Sequence, residues 1–265
     1  ADDEIDLQFG TGALKVTPAY DPVDFEIGQK NNLEIISVIN RQGKLFASKR
    51  VPPELVGLRI NQARQQTVAM LKTAGKLIKQ EPLTHNVGTC YRCGTTIEPM
   101  VIPQWYLKTK ALAKPAIEAV KKGETKIVPG KRFEKLYFDW MEKIKDWNIS
   151  RQIVWGPRIP VWYCLDCNPE IQINFIAPEK ISGTYEELKK KYSFEEINKG
   201  LQNLIAEKDA TYQLHNGKCD KCGGNHLLRE TDTFDTWFLS SQWPVNTLKS
   251  KPGDFEYFYP TSVLD

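Results

Sequence analysis

Apolar and polar positions along the chain change their period several times. Residues 5–17 alternate, with Ile5, Leu7 and Phe9 on one parity, which predicts a strand. Gly10-Thr11-Gly12 interrupts it and marks a turn or a close approach of backbone. Asp21-Pro22-Val23-Asp24 predicts a short helix, with Asp21 as N-cap and Pro22 at the first helical position. The β-branched run Glu34-Ile35-Ile36-Ser37-Val38-Ile39 predicts a second strand, and Asn40-Arg41-Gln42-Gly43 a turn. After Pro52-Pro53 a helix is expected, since Leu55, Leu58, Ala63, Met70, Leu71 and Ala74 share one side and Gly75 supplies a stop.

A further helix is expected over 109–122, closed by Gly123. The strongest helical period runs from Arg132 to Trp147, where Phe133, Leu136, Tyr137, Trp140, Ile144 and Trp147 recur on one face. These read as packing residues rather than as a ligand site. Residues 181–209, rich in Glu and Lys with Tyr185, Leu188, Tyr192, Phe194, Ile197, Leu201, Leu204 and Ile205, predict a small helical insertion. Repeats and low-complexity tracts are absent.

Composition narrows the class. The chain has 265 residues, 41% hydrophobic and 26% charged, the range of an ordinary globular protein. No apolar run approaches the ~20 residues of a membrane span, and the acidic start Ala1-Asp2-Asp3-Glu4 does not resemble a targeting segment. A cytoplasmic location without membrane association is expected. The chain starts without Met in a strand-like stretch, stops at Leu264-Asp265 with no terminal element, and reads as cut from a longer polypeptide. Net charge is only +3, too small to name a nucleic-acid partner. Basic residues do gather between Lys108 and Lys135, either as a solvated helix face or as a phosphate-contacting strip.

All six cysteines fall into one spacing: Cys90/Cys93, Cys164/Cys167 and Cys219/Cys222. Two intervening residues let both thiolates of a tight knuckle face one ion, and Gly94 and Gly223 permit the turn that follows. Asn168 stands in the third such place and is expected to accept the same left-handed geometry. With nothing to mark a secreted protein, zinc is the expected occupant rather than disulfides. Cys164, Cys167, Cys219 and Cys222 are expected to close one site, and Cys90 with Cys93 to form half of a second. His85, His215 and His226 read as ordinary histidines more readily than as ligands. A four-thiolate site leaves no open position for chemistry.

Four ordered motifs carry a family resemblance. The run Phe9-Gly10-Thr11-Gly12-Ala13-Leu14-Lys15-Val16-Thr17-Pro18-Ala19-Tyr20-Asp21-Pro22-Val23-Asp24 closely resembles the heart of the editing domain of valyl-tRNA synthetases. Trp147-Asn148-Ile149-Ser150-Arg151-Gln152 leading to Trp155-Gly156-Pro157-Arg158-Ile159-Pro160, then Asp235-Thr236-Trp237-Phe238, then Phe258-Tyr259-Pro260-Thr261-Ser262-Val263-Leu264 are similar to the same family in the same order. Leucyl and isoleucyl relatives usually carry His-x-Ala-Pro where this chain has Lys15-Val16-Thr17-Pro18.

The resemblance implies an α/β, multidomain class I enzyme. Part of a β-barrel editing domain would occupy 1–88, and part of a Rossmann-type catalytic domain with a zinc ribbon the rest: a core segment over 89–163, the ribbon with its insertion over 164–227, and the return to the core over 228–265. It implies valine–tRNA ligation with ATP and magnesium, tRNA and valine as partners, a monomer, and hydrolysis of mischarged threonyl-tRNA. Lys15, Thr17, Asp21 and Asp24 would form the editing pocket, Phe9, Gly10 and Gly12 its wall and backbone approach, and Trp237 would line the valine pocket. Tyr20 and Pro157 stand where the family usually has His, which bears on editing and on local geometry respectively. The His-Ile-Gly-His-type and Lys-Met-Ser-Lys-Ser-type ATP motifs do not occur in these residues, so the isolated chain is not expected to activate valine. The competing readings are an isoleucyl or leucyl relative, and a non-catalytic zinc-stabilised tRNA-binding module.

Overall fold

The computed structural model describes residue 8 and residues 13–263, and the chain divides into two compact units between Ile102 and Pro103. In the first unit, α1 (Pro22–Lys30) starts as expected: Asp21 Oδ1 accepts from Val23 N at 2.8 Å and Asp24 N at 3.0 Å. A Cβ on Gly28 would lie 2.7 Å from Pro18 Cγ, so the missing side chain is what lets α1 rest on the preceding loop. A 3-10 turn (Pro53–Leu55) leads into α2 (Ile60–Thr73), and Gly75 at φ +64° follows it.

The strand expected over 34–39 does not form. The amides of Val38 and Ile39 donate to the Tyr20 hydroxyl, the latter at 2.8 Å, and Ile39 makes only an isolated bridge to Leu45. A strand requires a neighbour's ladder, and here a side chain takes the donors instead. No β-strand, and therefore no barrel, forms in the first unit among the described residues. The strand expected from residue 5 lies mostly outside them. Few apolar side chains are buried here: Ala19, Ile27, Val51, Leu55 and Ala63.

The second unit opens with β1 (Tyr106–Leu107), α3 (Thr109–Lys121) and α4 (Lys131–Glu142). The helix expected to reach Trp147 stops at Glu142. Thr109 captures the segment beyond it, donating its hydroxyl to Lys145 O at 2.8 Å and its amide to Asp146 Oδ1 at 3.2 Å. Trp147–Asn148 is instead β2, antiparallel to β1. The aromatic face of α4 is not core either: Phe133, Leu136 and Trp140 stay 46%, 53% and 72% exposed. Helical spacing fixes that a stripe exists, but not what covers it.

Then come β3 (Ser150–Arg151), β4 (Trp162–Cys164), β5 (Gln172–Ala177), β6 (Glu179–Thr184), α5 (Tyr185–Leu188), α6 (Phe194–Gly200) and β7 (Leu201–Ile205). β8 (Tyr212–Gln213), β9 (Leu227–Arg229), β10 (Thr233–Phe234), α7 (Thr236–Lys249) and α8 (Asp254–Phe258) complete the unit. Among the described residues four antiparallel sheets result, in the orders β1-β2, β10-β3, β8-β4-β9 and β6-β5-β7. The class is mixed α/β, yet no described strand pair is parallel, so the described residues contain no Rossmann sheet.

Within 181–209 the expected helix forms as α5 and α6, but the end of β6 and all of β7 are strand, and β5 just before them completes a sheet. Ile171, Ile173 and Phe175 alternate inward at 2%, 0% and 1% exposure, a period of two that puts β5 at the centre of its sheet. Helical structure is confined to two short turns, each with a reciprocal capping box, Thr184 with Glu187 and Ser193 with Glu196. Gly200 closes α6 against β5, where a Cβ would sit 2.2 Å from the Ile176 carbonyl oxygen. One apolar core runs from Ile159, Val161, Tyr163 and Leu165 through Ile173, Phe175 and Ile197 to Leu204 and Leu228. It joins the cysteine ribbon to the inserted sheet. Burying a side chain such as Phe175 there contributes about 2–3 kcal/mol.

Candidate functional site

Cys164 ends β4, Cys167 lies in the turn after it, and Cys219 and Cys222 occupy the loop between β8 and β9. Antiparallel pairing of β4 with both strands brings the two knuckles face to face. All four Sγ atoms lie within 4.8 Å of one another, with Cys164–Cys222 at 3.5 Å and Cys167–Cys219 at 3.8 Å. Thiolates ~2.3 Å from a tetrahedral zinc sit ~3.8 Å apart, so the cluster has the dimensions of a closed metal site.

The thiols themselves point the same way. Burial raises Cys164 well above the usual thiol range and pushes Cys167 up to about 11, while the backbone N–H of Cys222 draws Cys219 down to about 6. Adjacent thiolates cannot all ionise together without a cation between them.

Each knuckle is closed by an amide four residues on: Asn168 N to Cys164 O at 3.1 Å, Gly223 N to Cys219 O at 2.8 Å, Gly94 N to Cys90 O at 2.8 Å. Gly94 and Gly223 have φ of +67° and +73°. Asn168 does not follow them, because its φ is not positive. Its side chain instead donates to Cys164 O at 2.7 Å. Cys90 and Cys93 share the knuckle geometry, but no third metal-ligating side chain joins them among the described residues. His85 is exposed, with Nδ1 3.3 Å from Asn86 O. His215 pairs with Asp220 at 3.2 Å and His226 with Asp166 at 3.0 Å, so neither faces the thiols.

In the first unit Lys15, Thr17 and Asp24 form one chain of polar contacts. Lys15 Nζ donates to Thr17 Oγ1 at 2.9 Å, and Thr17 gives its hydroxyl and amide to Asp24 Oδ2 at 3.1 and 2.7 Å. Lys15 and Asp24 therefore lie on the same side of the loop, with Asp24 half-buried and Lys15 exposed. Asp21 is engaged as the N-cap of α1. Phe9, Gly10 and Gly12 lie outside the described residues.

Trp237 stands in the first turn of α7, its side chain 76% exposed. Asp235 caps that turn, accepting from Trp237 N at 2.8 Å and Phe238 N at 3.2 Å, and its other oxygen pairs with Arg151.

Over residues 15–265 the sequence matches the family described as tRNA synthetases class I (I, L, M and V). The chain belongs to that family. Across its whole length this synthetase chain is 43% identical to the valine–tRNA ligase of Clostridium acetobutylicum, 44% to that of Clostridium tetani and 41% to that of Thermus thermophilus. It spans about a quarter of the length of these curated relatives, 25% to 27%.

Sequence reasoning missed the buried polar hub of the synthetase chain. Glu230, 5% exposed, accepts from Trp105 Nε1 at 3.1 Å, Tyr163 Oη at 3.0 Å, Thr231 N at 2.6 Å and Asp232 N at 3.0 Å. Ser150, 1% exposed, donates to Gln104 Oε1 at 2.7 Å and accepts from Trp105 N at 3.0 Å. The run Glu230-Thr231-Asp232-Thr233, four polar residues all buried, carried no signal in its periodicity. Of the two departures, Tyr20 anchors the 37–39 segment through its hydroxyl, and Pro157 contributes its carbonyl to Phe234 N at 2.9 Å.

Proposed function

We propose that this chain belongs to a valine–tRNA ligase that uses ATP and magnesium, and that its first unit supplies part of a site hydrolysing threonyl-tRNA. The observation that carries the reading is the 40–44% identity to valine–tRNA ligases over the whole chain. The second unit is read as part of the Rossmann-type catalytic domain, and the first as part of the editing barrel. The parent protein is a cytoplasmic monomer whose partners are tRNA, valine and ATP.

Editing follows from a limit on binding. An apolar pocket rejects threonine, which differs from valine by a hydroxyl in place of a methyl, only ~100-fold. A second site must recognise that hydroxyl. Asp24 is suited to this because Thr17 holds one of its oxygens, with Lys15 bonding Thr17 in turn, and leaves Oδ1 without a described hydrogen bond. An ionised carboxylate accepting from an ammonium and a hydroxyl makes strong, charge-assisted bonds. Thr17 and Lys15 orient the carboxylate, Asp21 fixes the helix that carries it, and Phe9, Gly10 and Gly12 complete the pocket. In the synthetic site Trp237 forms an apolar wall for valine. Cys164, Cys167, Cys219 and Cys222 hold a structural zinc, which cross-links the ribbon, and Cys90 with Cys93 form half of a second site.

The test uses the complete polypeptide that contains these residues. It is expected to support valine-dependent pyrophosphate exchange in preference to isoleucine, leucine and methionine, and to deacylate threonyl-tRNA faster than valyl-tRNA. Asp24→Ala is expected to slow threonyl-tRNA hydrolysis about 10- to 100-fold with valine activation unchanged. Equal hydrolysis by the variant, or exchange that favours another amino acid, overturns the reading.

A further inference from the structure

We propose that Arg151 is a positioning residue for the amino-acid pocket, acting through Asp235 to set the first turn of α7 and with it Trp237. The inference rests on the reading of Trp237 as a pocket wall.

The Trp237 side chain is 76% exposed and has no described ring contact or hydrogen bond of its own, so its place is set by the backbone beneath it. That backbone is fixed at Asp235, whose side chain is only 7% exposed. Oδ1 of Asp235 receives the amides of Trp237 and Phe238, Oδ2 pairs with Arg151, and its own amide donates to Ile149 O at 2.8 Å. Phe238, next along the turn, stacks on Phe234 at 5.0 Å and meets Trp147 edge-on at 5.9 Å.

Arg151 is itself held. Its Nη1 donates to the carbonyls of Asn148 at 3.1 Å and Ser150 at 2.8 Å, while Nη2 reaches the carboxylate. The guanidinium thus spans three acceptors, two on the β2–β3 segment and one at the helix start. A lysine offers one compact charge and lacks the planar fork that serves them together. Arg151 needs no contact with substrate for this role. It orients the carboxylate that orients the turn.

The experiment measures amino-acid-dependent pyrophosphate exchange by the complete polypeptide, with Arg151→Ala, Arg151→Lys, Asp235→Asn and Trp237→Ala. Arg151→Ala is expected to raise KM for valine about tenfold while KM for ATP and kcat stay within about twofold, the pattern of lost amino-acid binding. Arg151→Lys recovers part of the loss. Asp235→Asn keeps the cap oxygen and loses the charge, so it follows the lysine variant even if the alanine variant does not fold. If Trp237→Ala leaves KM for valine unchanged, the reading of Trp237 fails. If Trp237→Ala raises it and Asp235→Asn and Arg151→Lys do not, the pocket reading stands and the positioning role is overturned. An equal rise in KM for ATP, or a matching fall in kcat, also overturns it.

Discussion

Asn168 and Thr211 are clasped by two hydrogen bonds, Thr211 N to Asn168 Oδ1 at 2.8 Å and Asn168 Nδ2 to Thr211 O at 2.9 Å. The clasp joins the chain as it leaves the Cys164/Cys167 knuckle to the chain as it approaches β8, so the inserted sheet is closed at its base. The same Nδ2 reaches Cys164 O, coupling the clasp to the thiol cluster. Asn168→Ala is expected to destabilise the second unit by about 1–3 kcal/mol, because it leaves half-buried backbone groups unmatched. Asn168→Asp, which keeps the acceptor and loses both donors, is expected to fall between. Urea unfolding of the three proteins checks this, and equal midpoints would remove the clasp from the account.

Metal content provides a separate test. Zinc bound at Cys164, Cys167, Cys219 and Cys222 is expected at one equivalent, and Cys164→Ser or Cys222→Ser is expected to lose it. Cys90→Ser leaves that equivalent in place. Removing the ion with a chelator is expected to expose the amides of 217–226 to hydrogen exchange, since folding of such loops is coupled to the metal. Elemental analysis alongside exchange mass spectrometry reads both.

The Tyr163 hydroxyl is driven well above its ordinary range, by burial first and then by the Glu230 carboxylate beside it. A group whose folded pKa is raised favours folding while protonated. Its contribution is full below the unfolded tyrosine pKa of about 10 and declines as pH climbs above that value. Tyr163→Phe is expected to be less stable at pH 8 by about 1–2 kcal/mol, yet to lose less additional stability between pH 10 and pH 11. Parallel slopes for the two proteins would contradict the assignment.

Two glycines test close packing. At Gly200 the obstacle to a Cβ is the Ile176 carbonyl, which cannot move without disturbing β5, so Gly200→Ala is expected to cost about 3 kcal/mol. At Gly28 the obstacle is the Pro18 ring, so Gly28→Ala is expected to shift α1 against the loop bearing Lys15 and Thr17. Threonyl-tRNA hydrolysis is expected to fall with it, while valine activation is kept. Thermal melts and the two activity assays separate these effects.

Local chemistry was legible where a few adjacent residues decide the outcome. The Asp21 cap and Pro22 start of α1, the stop after α2 near Gly75 and the knuckle turns at Gly94 and Gly223 depend on backbone freedom or on one side-chain oxygen, and each formed as read. The cluster of four cysteines was likewise visible from spacing, because two intervening residues suffice to aim a thiol pair. The Ile171-Ile173-Phe175 alternation was also present in the chain but was not read as a strand, and within 181–209 β7 was read as helix along with α5 and α6.

By itself, the sequence determined the family, the thiol set and the residues able to cap or break helices, since these depend on identity and near neighbours. Only the tertiary structure decided which apolar stripe is covered, where Tyr20 spends its hydroxyl, and that buried Glu230 and Asp235 bind segments distant along the chain. Burial and pairing across long separations depend on which surfaces meet, and the periodicity of a single strand or helix carries no record of its partner.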